Sequence, residues 1–80
     1  MSELEELPNI GPELARALRV AGIADADALR SVGSIEAWRR CHPRFTCMHS
    51  LLALEGAVQG LPKRELDEPT RRRLKEAARP

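Results

Sequence analysis

Aromatic side chains are almost missing from this sequence, with one Trp, one Phe and no Tyr among 80 residues. A platform that stacks successive nucleobases needs several rings, so single-strand binding of that kind is excluded. Cysteine is scarce too. Two thiols make no disulfide scaffold in a chain able to build a helical core, and reduced thiols in a cytosol are expected. No apolar run approaches the roughly 20 residues that cross a bilayer, and no signal-peptide pattern opens the sequence, so a cytoplasmic protein is expected. A dominant charge is also lacking. Thirteen basic and twelve acidic side chains leave a net +1, which gives no strong overall field towards nucleic acid or membrane.

The charges are unevenly placed. Residues 1–30 carry a net −3, residues 31–60 a net +1, and residues 61–80 a net +3 from Lys63, Arg64, Arg71, Arg72, Arg73, Lys75 and Arg79 against four acids. Apolar residues make up 42% of the chain, enough for one modest core in a single domain over residues 1–80. No period-two run is present, and the fold class read from the pattern is all-α, with about five short helices.

The most informative segment runs from Leu7 through Asn9-Ile10-Gly11-Pro12 to Leu18, closed by Gly22-Ile23. Pro12 suits the first position of a helix, Gly11 is expected at positive φ, and Gly22 sits where a C-terminal cap belongs. This reads as a helix-hairpin-helix, a device that can offer backbone N–H groups to phosphate. Asp25 can cap a helix that ends at Gly33. Ser34 can cap the next, Ile35 to about Cys41, before Pro43. Ser31-Val32-Gly33 echoes Asn9-Ile10-Gly11 at an offset of 22 residues, so two related hairpin units are expected. From Cys47 to Val58 the apolar residues cover most of the helix circumference, the mark of a buried central helix. Asp67, Glu68 and Pro69 open a last helix carrying Arg71–Arg73 and Lys75 towards its end.

These residues resemble the C-terminal domain of the TfoX/Sxy competence regulators, the DNA-transformation proteins. The likeness spans nearly all 80 residues and reads as a stand-alone copy. It is carried by Leu7-Pro8-Asn9-Ile10-Gly11, by Leu18 with Ala21-Gly22-Ile23, by Leu29 to Ser34 with Ala37-Trp38, and by Leu51 to Gly60. An aromatic common in the family at the position of Leu52, and a Trp within the segment Leu61–Glu65, are replaced here. The resemblance implies a bacterial, cytoplasmic, helical module linked to competence or DNA transformation. It implies no catalytic residues.

Candidate nucleic-acid contacts are Asn9, Ile10, Gly11 and Arg16 at the hairpin, and Lys63, Arg64, Arg71, Arg72, Arg73 and Lys75 in the basic third. The hairpin is the weaker of the two, because Glu13 would face a phosphate with like charge and most DNA affinity comes from cations. Glu55, alone among apolar neighbours, is expected to be structural, tying the central helix to a loop. Gly56 is expected to let another element approach closely. Gly22 and Gly33 are read as turn positions and Trp38 as core. Cys41, His42, Cys47 and His49 are zinc-type ligands, but adjacent Cys41 and His42 cannot readily face one metal and no Cys-x-x-Cys is present. No metal or cofactor is expected, and one carboxylate without a partner base supports no enzyme. The function read from the sequence is a non-enzymatic regulatory module acting through double-stranded DNA, without base preference, or through a DNA-binding protein. The rival is a protein-interaction domain with no nucleic-acid role, using Leu52 and the acidic N-terminal face. An exposed apolar patch beside Leu52 or Ile23 would favour it.

Overall fold

Helix boundaries in this protein follow local capping chemistry. In the computed structural model, which describes residues 3–79, helix α1 spans Pro12–Val20 and begins on Pro12 as its first residue. It closes through Gly22 at φ +90°, and the Ile23 N–H returns to the Leu18 carbonyl at 2.9 Å. Helix α2 (Ala26–Val32) is capped by Asp25, whose carboxylate accepts from the Ala28 N–H at 2.9 Å. Helices α3 (Ser34–Arg40) and α4 (Met48–Gln59) follow, and α5 (Glu68–Ala78) is capped by Asp67, which accepts from Thr70. Single 3-10 turns occupy Leu4–Glu6 and Lys63–Glu65, and the described residues contain no strand. The all-α expectation of about five helices holds. Arg71–Arg73 fall mid-helix rather than near its end, because α5 continues to Ala78.

Helix α4 is the central post. Ser50, Leu51 and every residue from Ala53 to Ala57 are buried, and α2, α3, α5 and the Lys63–Glu65 turn pack around it. Leu4, Leu18, Ile23, Leu29, Leu51, Leu54 and Leu74 are the largest fully buried side chains. Leu74 seats α5 on this core, and Leu4 draws the N-terminal turn into it. Trp38 is 6% exposed and donates through Nε1 to the Ser50 hydroxyl, which in turn donates to the Cys47 carbonyl at 2.6 Å.

The two hairpins differ in form. In the second, Gly33 itself takes φ +88° between α2 and α3. In the first, Gly11 is extended at φ −91°, against the expected positive φ, and Asn9 takes the left-handed conformation at φ +70°. The reason is Pro12, whose ring pushes the preceding residue into the extended region. Asn tolerates positive φ better than most side chains, so the turn moves two residues upstream. The element leading into the first hairpin is one 3-10 turn rather than a full helix.

Ser34 is the first residue of α3 and not its cap; Gly33 holds that position. The Ser34 hydroxyl instead donates to Glu55 Oε1 at 2.5 Å. Glu55, 6% exposed, also accepts from Gln59 Nε2 at 2.6 Å and from Arg73 Nη2 at 3.2 Å on Oε2. One carboxylate therefore joins α3, α4 and α5. No buried side-chain polar atom among the described residues lacks a partner.

Gly56 is the point of closest approach. A Cβ there would collide with Asn9 Nδ2 and lie 2.6 Å from the Leu61 carbonyl oxygen. Nothing stands within 4 Å of a Cβ at Gly11. Gly56→Ala should therefore lower stability by about 2 kcal/mol, despite gaining roughly 1 kcal/mol in helix propensity. Gly11→Val, which meets no neighbour, should cost less than about 1 kcal/mol, from the poorer N-cap alone. Urea unfolding of the pair measures both, and equal effects would contradict this packing. Glu55→Ala should cost about 2–3 kcal/mol by stranding the Ser34 hydroxyl and freeing α5 from Arg73. A near-neutral result in the same assay would place the carboxylate outside the structural network.

Candidate functional site

The hairpin residues are engaged internally. Asn9 Nδ2 donates to the Leu61 carbonyl at 2.9 Å and the Ala53 carbonyl at 3.3 Å, and Asn9 Oδ1 accepts from the Lys63 N–H at 3.0 Å. Its amide thus clamps the N-terminal loop onto α4 and onto the connection to α5. Ile10 is 6% exposed and belongs to the core. Gly11 and Arg16 are exposed, and Arg16 makes no ion pair or side-chain hydrogen bond among the described residues. Glu13 lies in the first turn of α1, with Arg44 Nη2 at 3.9 Å from its carboxylate. A phosphate approaching Gly11 would meet this acid as well as Lys63, which lines the same side of the loop. Further back, Arg19 binds both Glu5 oxygens, at 2.7 and 2.8 Å, and Glu3 at 3.3 Å. That guanidinium holds the Glu5 carboxyl at about 2.

The basic third divides into held and free cations. Arg71 donates from Nε to the Leu66 carbonyl and from Nη2 to the Lys63 carbonyl, at 3.0 and 2.9 Å. This secures the turn that leads into α5. Arg73 is turned towards Glu55, and Arg39 reaches the Ala77 carbonyl at 3.2 Å, fastening the far end of α5 to α3. Lys63, Arg64, Arg72 and Lys75 are exposed and have no side-chain partner among the described residues.

Two of these free cations, Arg72 and Lys75, border a groove of about 230 Å³ between α4 and α5. Its floor is Met48 and Leu52, both half-buried; Glu68 and Arg71 complete its walls. By sequence alone the seven bases of residues 61–80 form one group, and Met48 falls within a helix that is apolar nearly all round. No local pattern marks the packing of α5 on α4 beside Met48 and Leu52. Ile23 is fully buried and offers no surface patch; of the two apolar positions weighed for a protein contact, Leu52 is the accessible one.

A second, more open groove of about 330 Å³ lies between the hairpin loop and the start of α4, with Gly11, Leu14, Phe45, Cys47, His49 and Lys63 among its lining. The exposed Cys47 thiol is pulled below its ordinary pKa by its hydrogen bond with Ser50, whereas burial pushes Cys41 up. His42 packs edge-on against Trp38, with ring centroids 4.6 Å apart, and its Nδ1 lies 3.0 Å from the Trp38 carbonyl. Among the described residues no three His, Cys, Asp or Glu side chains form a group able to hold a metal ion. None of their helices is long and apolar enough to cross a membrane.

Comparison with known proteins fits this architecture. The chain is similar to an uncharacterized protein from Listeria monocytogenes, solved in a triclinic crystal form, at 46% identity and a TM-score of 0.89. The match covers 92% of this chain and 86% of that one. A tetragonal crystal form of a protein of unknown function from the same species matches at 46% identity and a TM-score of 0.87, over 92% and 93% of the two chains. The chain matches no curated protein. The model of the TfoX C-terminal domain matches residues 1–78, and the chain belongs to the TfoX C-terminal domain family.

Proposed function

We propose that this protein is a non-enzymatic regulatory module linked to competence or DNA transformation, and that it works by holding a protein partner of the DNA-handling machinery on its α4–α5 face. The observation that carries this reading is the division of labour among polar groups. The Asn9 amide is engaged inside the fold, while Arg72 and Lys75 stay free beside an apolar groove. Duplex phosphates are recognised by cations and N–H donors and have no use for an apolar floor. A protein contact uses both an apolar centre and a polar rim. Family membership supplies the link to competence.

Two measurements test the reading. In the source organism, replacing the gene by an Arg72→Glu/Lys75→Glu version should lower transformation frequency, while the purified variant unfolds at the wild-type temperature. Labelled duplex titrated with wild-type protein should bind only at low salt, since each phosphate contact contributes a slope of roughly −0.9 in log K against log salt. Unchanged transformation would remove the proposed role. Duplex binding that survives near-physiological salt would make DNA itself the target.

A further inference from the structure

The groove between α4 and α5 has features that define its occupant. Its volume of about 230 Å³ is below the roughly 300–1,000 Å³ of sites that enclose small molecules and cofactors. Its size suits one or two anchoring side chains. Met48 and Leu52 stand one helical turn apart, about 6 Å along α4. That spacing matches apolar residues at positions i and i+4 of a second helix laid alongside, the usual anchors when a helix docks in a groove.

Charge along the rim is graded. Glu68 stands in the first turn of α5, and Arg71, Arg72 and Lys75 follow over the next two turns. Arg71 is held by two carbonyls, but its charge remains at the rim. Arg72 and Lys75, at i and i+3 on an exposed face, have no carboxylate partner among the described residues. Arg19, Arg30, Arg40, Arg44 and Arg79 each have one, and Arg16, Arg39, Lys63 and Arg64, which also have none among the described residues, lie outside this groove. The rim is thus an electropositive strip over an apolar floor, with a carboxylate marking one end.

We infer that this groove docks an acidic amphipathic helix of a partner protein. Two apolar residues one turn apart sit on Met48 and Leu52, and Asp or Glu side chains meet Arg72 and Lys75. Glu68 disfavours carboxylates at its own end, which places them beside Arg72 and Lys75. The inference rests on the proposed function only in taking the partner to be a protein.

Fluorescence anisotropy with a labelled helical peptide tests it. The probe carries two Leu residues four apart and Glu along one flank. Control peptides replace both Leu by Gln, or every Glu by Lys. Wild-type protein should bind the probe, and Arg72→Glu/Lys75→Glu should weaken binding about tenfold or more, equivalent to about 1.4 kcal/mol. Arg64→Glu, at an exposed cation outside the groove lining, should leave affinity within about twofold, as expected for a screened remote charge. Both control peptides should bind at least fivefold more weakly. In a titration followed by amide chemical shifts, the largest changes should fall at residues 48–52 and 68–75.

Absence of probe binding by wild-type protein overturns the inference. So does equal weakening by Arg64→Glu, or equal binding of the Gln peptide, since either would reduce the contact to general charge attraction. Competition by duplex DNA at lower concentration than the probe would assign the face to nucleic acid. Loss of transformation in the Arg72/Lys75 variant without peptide binding would leave the proposed function standing and remove only this helix. Peptide binding with unchanged transformation would do the reverse.

Discussion

Three hydrogen bonds at one amide hold the N-terminal loop against α4 and the connection that leads to α5. Asn9 lies near the start of the sequence, and its partners Ala53, Leu61 and Lys63 lie 44 to 54 residues away. The bonds form because Asn9 takes a left-handed backbone conformation that Pro12 denies to Gly11. They also need α4 to present a residue without a side chain at Gly56, where a Cβ would strike the Asn9 amide. With the clamp in place, the backbone from Leu61 to Lys63 has a fixed course. Arg71 then secures the turn that follows, and α5 packs on the core through Leu74.

The second constraint is Glu55. A carboxylate that is 6% exposed would be costly without donors. Ser34, Gln59 and Arg73 supply them from three helices. The Ser34 bond fixes the start of α3 against α4, and the Arg73 bond draws α5 in from outside. These contacts sort the cations of the last twenty residues into those that hold the fold and those that face solvent. Arg71 and Arg73 belong to the first group. Lys63, Arg64, Arg72 and Lys75 belong to the second, and the last two flank the groove.

Much of the fold was legible because capping chemistry is local. Pro12, Gly22, Asp25, Gly33, Asp67 and Pro69 each mark a helix boundary within a few residues of where it lies, and the apolar run after Cys47 announced a buried helix. What escaped notice depends on partners distant in the chain. Ser34 looked like a cap because its hydroxyl had no visible alternative acceptor, yet Glu55, 21 residues on, takes that bond. Gly11 has the composition of a turn residue, but Pro12 holds it extended. The division of the basic cluster has no local signature, since no local rule tells Arg71 from Arg72. The family likeness was readable from short blocks in order, and the matched span of residues 1–78 agrees with it.

The central claim is that Asn9 acts on the fold rather than on a phosphate. Its most direct test is to measure, on Asn9→Ala and Asn9→Gly alike, both unfolding free energy and duplex affinity at low salt. The Ala variant should lose about 2–4 kcal/mol, from three lost bonds and a strained backbone, and the Gly variant should recover only the backbone part. Duplex affinity should match wild type in both at temperatures where they remain folded. Wild-type stability with weakened duplex binding would contradict the account and return the hairpin to nucleic-acid recognition.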